Sequence, residues 1–428
     1  MKPVLMWSRD RADATLEKLL QPPGDGLPDK VVAEARAILD RVRSEGDRAL
    51  VSLTAKLDRT TLTPDTFRVE RETIAESAAR APEALRNALR TAARNIRAFH
   101  ELQIPRTAEG SIPGGTLQFI HSPVRAAALY VPGGRAAYPS SILMNAIPAQ
   151  VAGVPRIALL TVPGMIENCP AAAVAIELLG LDEVWRIAGA QSIAAAAFGT
   201  ESFRPVDVIV GPGNAWVAAA KREVYGRVGI DSIAGPSEVL ILADDSADPE
   251  LVALDLLAQA EHDPVARSLL ASTHRPLLTR VGERMSRLIE ASPRREILEA
   301  SWKSHGALIE VESRADLVAL CNRMAPEHLQ VILRDPPEPT QLVAGAMFFG
   351  NRTPTALGDY IAGPNHVLPT GGSARFSGPL GVASFLRPST VVRLDDDAPT
   401  ELHQQGALIA DAEGLDGHAA ALRARTER

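Results

Sequence analysis

Short apolar runs that alternate with helix-like stretches fill the chain beyond Pro105, and they restrict the folds open to it. The runs fall into two sets, which cover residues 126–131, 157–162, 184–187 and 206–210, and then 239–242, 305–311, 330–333 and 346–349. Continuous apolar runs of this length are typical of parallel strands that are buried on both faces. The pattern predicts an α/β protein with two parallel sheets, plus small helical segments at its N- and C-terminus.

A stretch rich in glycine and proline, residues 363–381, follows the second set of runs. Because these residues favour turns, we expect a loop and a domain boundary there. A helix is predicted for the tail, residues 411–425. The chain has 428 residues, which is more than one ordinary core accommodates, so at least two domains are expected.

Composition and charge exclude several classes of protein. Hydrophobic residues make up 46% and charged residues 23%, as in soluble globular proteins, and no apolar run is long enough to span a membrane. Asp10 and Arg11 stand where a secretory signal would need its apolar core, which predicts a cytoplasmic protein. A net charge of -7 argues against nucleic acid or an anionic membrane as partner. Cys169 and Cys321 are the only cysteines, so any metal must be held by nitrogen and oxygen.

Three glycine-containing turns follow strands of the first set, at residues 130–134, 188–192 and 211–216. The last comes nearest to the dinucleotide-binding pattern G-x-G-x-x-G, but Trp216 replaces its third glycine, so the sheets are classed as Rossmann-like, incomplete and atypical. A tight turn without a ligand explains this one segment equally well. Because the carboxyl ends of neighbouring parallel strands meet at one edge, the three turns together predict a ligand-binding crevice.

The dipeptide Glu-His occurs twice, and the first copy, Glu261-His262, closes a helix-like stretch at residues 249–264. Gln259 and His262 are three residues apart and would project from one helical face, and the apolar stripe of the helix leads to Gln259. A buried imidazole and amide need partners, which a metal ion would supply. A satisfied polar pair at a helix end is the alternative. Candidates for the remaining partners are Asp359, His366 and His418.

The second copy, Glu327-His328, follows Pro326, which favours a turn or the first turn of a helix. A solvated helix start would explain the carboxylate through the helix dipole but would leave the histidine unexplained. An imidazole can accept and return a proton near neutral pH, and a neighbouring carboxylate can activate water. This copy is therefore interpreted as catalytic, and the first as part of a metal site.

Longer motifs resemble those of the L-histidinol dehydrogenase family along almost the whole chain. The most specific is IDSIAGPSEVLILADDSADPELVALDLLAQAEHDP at residues 230–264, which is similar to the family's signature nearly from end to end. Similar stretches occur at residues 138–154, 210–221, 324–330, 357–372 and 412–425.

The resemblance implies a role for particular residues of this chain. One Zn²⁺ ion per subunit would be held by Gln259, His262, Asp359 and His418. The catalytic proton acceptors would be Glu327 and His328. NAD would contact Tyr130, Gln191 and Asn214. Substrate contacts would fall on Ser237, Gln259, His262, His328, Asp359, His366, Glu413 and His418.

The family's reaction is a four-electron oxidation of L-histidinol to L-histidine, the last step of histidine biosynthesis, through a bound aldehyde and with two NAD molecules. The resemblance also implies a homodimer with shared active sites, in which the C-terminal segment is swapped into the partner. A related zinc and NAD dehydrogenase for another small diol, such as sulfopropanediol, is the alternative enzyme. A catalytically silent metal- and nucleotide-binding module is the alternative from another class.

With these assignments the chain is predicted to have four segments. They are an N-terminal segment (1–26), a zinc-binding catalytic α/β domain (27–129 and 238–380), an NAD-binding α/β domain (130–237) and a swapped C-terminal segment (381–428). The expected partners are a small-molecule substrate and a second copy of the chain, without nucleic acid or membrane.

Overall fold

The computed structural model describes residues 2–8, 14–20, 27–133, 138–233 and 235–426. The chain forms two compact units. The first unit comprises Met1–Gln103 and Arg125–Phe385, and the second comprises Ile104–Val124 and Leu386–Arg428. The four segments predicted above are defined by zinc and NAD binding, which these units do not test, and they stay a prediction.

The strands are β1 Val4–Met6, β2 Ala108–Ile112, β3 Gly115–Pro123, β4 Ala127–Val131, β5 Ile157–Thr161, β6 Glu183–Trp185, β7 Val208–Val210, β8 Gly229–Ile230, β9 Glu238–Ala243, β10 Arg267–Ser272, β11 Gly306–Glu310, β12 His328–Ile332, β13 Ala346–Phe349 and β14 Leu386–Leu394. The helices are α1 Ala14–Leu20, α2 Asp29–Glu45, α3 Asp47–Leu57, α4 Arg71–Ala79, α5 Glu83–Glu101, α6 Pro139–Val151, α7 Met165–Asn168, α8 Pro170–Leu179, α9 Gly189–Phe198, α10 Ala215–Val224, α11 Pro249–Ala260, α12 Arg275–Ala291, α13 Arg295–His305, α14 Arg314–Met324, α15 Thr355–Tyr360, α16 Glu401–Ala412 and α17 Asp416–Arg423.

A six-stranded parallel sheet with the order β1-β11-β10-β9-β12-β13 lies in the first unit. Every residue of β9 and β12 is buried. Along β9, Val239 and Ile241 pack into one apolar core while Leu240 and Leu242 pack into another, because successive side chains point to opposite faces. The four strands predicted from the second set of runs are confirmed. Two further strands, β1 and β10, were not predicted.

A five-stranded parallel sheet with the order β6-β5-β4-β7-β8 is the other sheet of this unit. Its central strand, β4, is buried at every residue, and helices α2, α3 and α9 contribute to the core that contains Ala128 and Tyr130. The strands predicted from the first set of runs are therefore confirmed. Two parallel sheets in one chain confirm the predicted α/β fold class.

The second unit contains a three-stranded antiparallel sheet, β14-β3-β2, that was not predicted. Its strands are largely exposed, so they lack the continuous apolar runs that identify the parallel strands. Pro388 lies within β14, which tolerates it because β14 is an edge strand. The helix predicted for residues 411–425 is present as α17 but is shorter, because Gly414, with φ 72°, separates α17 from α16.

The two sheets present different edges to the candidate site. Strands β9 and β12 begin at Glu238 and His328, on the amino edge of the six-stranded sheet. The turns after β4 and β7 lie on the carboxyl edge of the five-stranded sheet. Within the described part of the chain, no helix is long and apolar enough to cross a membrane.

Candidate active site

A small cavity of about 300 Å³ lies in the first unit. Its lining brings together the predicted metal, catalytic and substrate-binding residues that belong to this unit. We call it the small cavity, and its lining includes Ser237, Gln259, His262, Glu327, His328, Asp359 and His366. Glu413 and His418 belong to the second unit, at the end of α16 and within α17. The small cavity therefore collects residues that are more than a hundred positions apart in sequence.

Gln259 and His262 reach the small cavity from the end of α11, although not as one helical face. The helix ends at Ala260, so the prediction that both residues lie on it is wrong for His262. The His262 N–H donates to the Gln259 carbonyl at 3.3 Å, which keeps the two residues together in a turn. Gln259 is 4% exposed, and its Nε2 atom has no hydrogen-bond partner among the described residues.

Glu327 and His328 lie where a turn leads into a central strand, so the predicted turn is confirmed and the alternative, a helix start, is wrong. Helix α14 ends at Met324, and Ala325 adopts φ 46°, a left-handed conformation that redirects the chain. Pro326 then prevents helical continuation, and β12 begins at His328. Both members of the dipeptide are buried, which places a carboxylate and an imidazole in a site of low solvent exposure.

His328 is held between two carboxylates. Its Nε2 atom lies 3.3 Å from Asp359 Oδ1, and its Nδ1 atom lies 3.6 Å from Glu327 Oε2. Burial lowers the pKa of His328, but the charges of Glu327 and Asp359 outweigh it and raise the pKa to about 10. Burial raises the pKa of Asp359, but His328 reverses this effect and the value is lowered. The chain alone therefore favours an imidazolium paired with a carboxylate.

His366 has a different electrostatic environment from His328. Its Nε2 atom lies 3.1 Å from the Ser141 hydroxyl, and its Nδ1 atom lies 2.9 Å from the backbone oxygen of Asp359. Burial lowers the pKa of His366, which favours the neutral imidazole. A neutral His366 can donate through Nδ1 to the Asp359 carbonyl, and it thereby fixes the backbone that carries this carboxylate.

Glu238 is a residue of this site that the sequence analysis did not single out. Its N–H donates to Glu327 Oε2 at 2.8 Å, while the Glu327 N–H donates to Glu238 Oε1 at 3.3 Å. Glu238 Oε1 also accepts the N–H of Gly371 at 3.1 Å, and Arg267 lies 3.7 Å from Oε2. Burial, reinforced by the charge of Glu327 and opposed by Arg267, raises the pKa of Glu238 to about 7. In the sequence, Glu238 stands directly before the apolar run 239–242. A charged residue beside a buried strand is the signal that could have indicated its role.

A second cavity of about 840 Å³, which we call the large cavity, lies in the same unit. Its lining includes residues from all three glycine-containing turns: Tyr130, Pro132, Gly133, Ala188, Gly189, Gln191 and Asn214. The turns therefore converge as the crevice prediction required. Gly211 makes the close approach possible, because it has φ 113° and a Cβ atom there would lie 2.1 Å from the Tyr130 carbonyl oxygen.

Some polar groups of the large cavity are engaged within the protein. The Gly189 N–H donates to the Tyr130 hydroxyl at 3.3 Å, and the Asn214 side chain accepts the N–H groups of Trp216 and Val217 as the N-cap of α10. Gln191 Oε1 is buried without a hydrogen-bond partner among the described residues. A ligand that donates a hydrogen bond would satisfy this atom.

Trp216, which replaces the third glycine of the dinucleotide pattern, lines the same large cavity. It is partly exposed, and its indole Nε1 donates to Glu34 Oε2 at 2.9 Å. The contact joins α10 to α2 at the cavity wall. In dinucleotide-binding folds the third glycine lets the helix pack closely on the strand. Here the side chain of Trp216 is directed to α2 instead of into that contact.

The donors around Gln259 suit a metal ion, although the described residues form no complete site of charged or imidazole ligands. Among the described residues, no group of three or more His, Cys, Asp or Glu side chains is placed to hold an ion. His262 and Asp359 line the small cavity with the buried amide of Gln259, whose Nε2 atom is unpaired. An amide ligates a metal through its oxygen, so Gln259 would offer Oε1, and imidazole nitrogen with amide and carboxylate oxygen fits Zn²⁺. The fourth predicted ligand, His418, lies on the second unit.

A family model described as histidinol dehydrogenase matches residues 26–426 of this chain. The chain belongs to the histidinol dehydrogenase family. It is 48% identical over 408 residues to a histidinol dehydrogenase of Gluconobacter oxydans, with 94% of this chain and 95% of that protein covered. It is 46% identical over 415 residues to a histidinol dehydrogenase of Ruegeria pomeroyi, with 96% and 95% covered.

A solved structure of this family has the same fold. The crystal structure of histidinol dehydrogenase from Elizabethkingia anophelis superimposes with a TM-score of 0.92 at 31% identity, covering 100% of this chain and 99% of that one. The predicted family and the predicted enzyme class, a dehydrogenase, are therefore confirmed. The roles of individual residues stay predictions.

Proposed function

We propose that this protein catalyses the zinc-dependent, NAD-linked oxidation of L-histidinol to L-histidine through bound L-histidinaldehyde, the last step of histidine biosynthesis. The observation that carries the proposal is the small cavity, where Gln259, His262, Glu327, His328 and Asp359 meet in a member of this family. A four-electron oxidation needs two proton acceptors and a means of holding the aldehyde between its halves. The five residues supply chemistry of both kinds.

Gln259, His262 and Asp359, with His418 from a second copy of the chain, are the proposed zinc ligands. Zinc bound there would hold the substrate's imidazole and amine and would neutralise Asp359, the carboxylate that favours protonated His328. His366 supports this arrangement through its contact with the Asp359 backbone. Ser237, His366 and Glu413 complete the proposed substrate contacts.

His328 is the proposed acceptor of the alcohol proton in the first oxidation. It must be neutral to act, whereas the chain alone raises its pKa to about 10 through Glu327 and Asp359. In the chain alone, Glu327 and Asp359 therefore favour the protonated form of His328 over the form that acts as a base. A zinc ion bound at the small cavity would lower the pKa of His328, so that the neutral imidazole could accept the proton.

Glu327 is the proposed base of the second oxidation, in which water attacks the bound aldehyde. Its carboxylate lines the small cavity, and the N–H of Glu238 fixes one of its oxygens at 2.8 Å. A buried, oriented carboxylate can remove a proton from the attacking water. The resulting hydrate would lose the remaining hydride of the reacting carbon, which is the second hydride of the whole reaction, while it stays bound.

The large cavity is the proposed NAD site, with contacts from Tyr130, Gln191 and Asn214. NAD would accept one hydride in each half of the reaction. The unpaired Oε1 of Gln191 and the glycine-containing turns at the ends of β4 and β7 support this assignment. The large cavity has room for a sizeable ligand.

A homodimer with shared active sites and a cytoplasmic location complete the proposal. Leu408 and Ile409 on α16 are 67% and 63% exposed, and large apolar side chains of this kind favour an interface. If His418 completes a partner's site, subunits carrying His418→Ala and His262→Ala should complement each other after exchange. Activity should return to about a quarter of the unsubstituted value, since half of the dimers then hold one intact site. Continued inactivity of the mixture would exclude sharing.

The experiment that tests the activity compares L-histidinol with sulfopropanediol as the source of NADH. We expect NADH with L-histidinol, and His328→Ala should lower kcat by about 10²- to 10⁴-fold. His274→Ala is the control, because His274 is not part of the lining of either cavity. NADH from sulfopropanediol alone would assign another substrate. Unchanged turnover in His328→Ala would remove its catalytic role.

A further inference from the structure

Asp58 is a carboxylate of the large cavity to which the family resemblance assigns no role. It caps the C-terminus of α3, and its Oδ2 atom accepts a hydrogen bond from Gln191 Nε2 at 3.2 Å. Its Oδ1 atom accepts no hydrogen bond from the described residues. Asp58 is half-buried, so a ligand in the large cavity can reach this oxygen, and burial raises the pKa of the carboxyl group.

The backbone around Asp58 fixes this carboxylate in place. Arg59 adopts φ 54°, a left-handed conformation that is uncommon for a residue with a Cβ atom and costs about 1 kcal/mol. Thr60 donates from its hydroxyl to the Asp58 carbonyl at 3.1 Å. Strained positions of this kind occur preferentially at ligand sites.

Dinucleotide folds place an acidic residue about 20 positions after the glycine motif, where it binds the ribose 2′-hydroxyl. Asp231 has this spacing from Gly211, but it is not available for a ligand. Its Oδ1 atom is paired with the buried Lys221, and its Oδ2 atom accepts the Gly211 N–H at 2.8 Å. Asp231 also lines the small cavity instead of the large one. Asp231, which has the spacing of the usual ribose-binding acid, therefore stabilises the turn instead.

Glu34 is the other carboxylate of the large cavity, and it is more exposed than Asp58. Oε2 accepts the indole N–H of Trp216, and Oε1 lies 3.9 Å from Lys30. Of the cations lining this cavity, Arg41 is bonded to Ser52 and Glu45. Asp58 is therefore the less exposed of the two carboxylates, and Gln191 holds it while one of its oxygens accepts no hydrogen bond from the described residues.

We propose that Asp58 accepts the 2′-hydroxyl of the adenosine ribose of NAD and thereby selects NAD over NADP. The inference rests on the proposed NAD site. A carboxylate accepts hydrogen bonds from the vicinal hydroxyls of a ribose, whereas it repels a 2′-phosphate that brings negative charge and no donor. Gln191 orients Asp58 through the hydrogen bond that it donates. The exposed Lys56, which also lines the large cavity, would have the opposite preference.

Calorimetry with NAD and NADP tests this inference without turnover, and KM values for both nucleotides provide a second readout. The unsubstituted protein should bind NAD at least about tenfold more tightly than NADP, and Asp58→Asn should reduce this ratio about tenfold. Asparagine still accepts the Gln191 hydrogen bond, so folding should be preserved. Asp65→Asn removes an exposed carboxylate outside the large cavity and should leave the ratio unchanged.

An NAD analogue that lacks the adenosine 2′-hydroxyl separates recognition from a structural effect of the substitution. The unsubstituted protein should bind this analogue about tenfold more weakly than NAD, whereas Asp58→Asn should show a clearly smaller loss, because a neutral amide bonds a hydroxyl less strongly than a carboxylate does. An unchanged NAD/NADP ratio in Asp58→Asn, or equal losses for the analogue in both proteins, would overturn the role of Asp58. A preference of the unsubstituted protein for NADP would assign the dominant contact to Lys56. If neither nucleotide bound or supported oxidation of L-histidinol, the proposed function itself would be wrong.

Discussion

The two cavities of the first unit are built on different principles. The small cavity is lined by side chains that are already engaged with one another, as in the contacts of His328 with Asp359 and of Glu327 with Glu238. The large cavity has nearly three times its volume and is lined by the strand-end turns together with residues of α2 and α3. Each cavity has a buried polar atom without a partner among the described residues, Gln259 Nε2 in the small one and Gln191 Oε1 in the large one. The small cavity contains the buried pair Glu327 and His328, whereas the charged groups of the large cavity are half-buried or exposed.

This difference suits the two kinds of ligand in the proposed reaction. A substrate that is oxidised twice must stay in place, since free aldehydes react with amines. NAD must leave after the first oxidation and be replaced. Buried, preorganised charge favours retention, whereas a roomier cavity whose charged groups are half-buried or exposed favours exchange. Substitutions in the small cavity should therefore affect catalysis and metal content, and those in the large cavity should affect mainly nucleotide affinity.

The largest effect is expected from removal of a proposed zinc ligand. His262→Ala and Asp359→Ala should lose zinc and activity together, because each takes away one donor from a four-ligand site. NAD affinity should be unchanged if the two cavities act separately. Metal analysis by mass spectrometry, with His274→Ala as control, checks the prediction. Full zinc content in both variants would contradict the ligand set.

Glu327→Gln should separate the two halves of the reaction. The first oxidation should continue at nearly its normal rate, and the second should slow by roughly 100-fold, since only that half needs activated water. Single-turnover formation of NADH should then show one fast and one slow phase. Equal slowing of both phases would mean that Glu327 does not act on water.

Glu238→Gln tests how the buried carboxyl group of Glu238 makes the free energy of unfolding depend on pH. The pKa of Glu238 is raised to about 7 in the folded chain from an ordinary value near 4.5, so the folded state keeps its proton longer than the unfolded state. The free energy of unfolding should therefore fall as the pH rises from about 4.5 to 7, by up to about 3 kcal/mol. Glu238→Gln should lack this fall. Urea unfolding at several pH values measures it, and parallel curves for the two proteins would refute the buried, protonated Glu238.

The smallest effect is expected at Asn214 in the large cavity, where its side chain already caps α10. Asn214→Ser keeps the cap and removes the amide, so it should raise the KM for NAD a few-fold without changing the Tm. Asn214→Ala should have the same raised KM for NAD as Asn214→Ser, and its free energy of unfolding should be lower by about 1 kcal/mol because the cap is lost. If Asn214→Ser had a normal KM, Asn214 would be a helix cap without a cofactor role.

Much of the architecture and of the site could be predicted because its signals are local. Continuous apolar runs identified eight of the parallel strands, since burial on both faces leaves no polar alternation. The convergence of the three turns followed from the geometry of parallel strands. The small cavity brought together Gln259, Asp359 and the Glu327-His328 pair as the family motifs implied.

Features that depend on tertiary contacts could not be predicted. Nothing local indicates that β12 begins at His328 on the amino edge of its sheet, because Pro326 also fits a helix start. The roles of Glu238 and Asp58 arise from partners far away in sequence, Glu327 and Gln191. The antiparallel sheet of the second unit was missed because its exposed strands carry no apolar runs.

The stoichiometry of oxidation tests the division between a retaining and an exchanging cavity most directly. L-histidinol in limiting amount should yield two NADH molecules per molecule consumed, and an aldehyde trap such as semicarbazide should capture almost no free L-histidinaldehyde. One NADH per L-histidinol, or accumulation of the trapped aldehyde, would contradict the proposal that the small cavity holds the intermediate while NAD is exchanged.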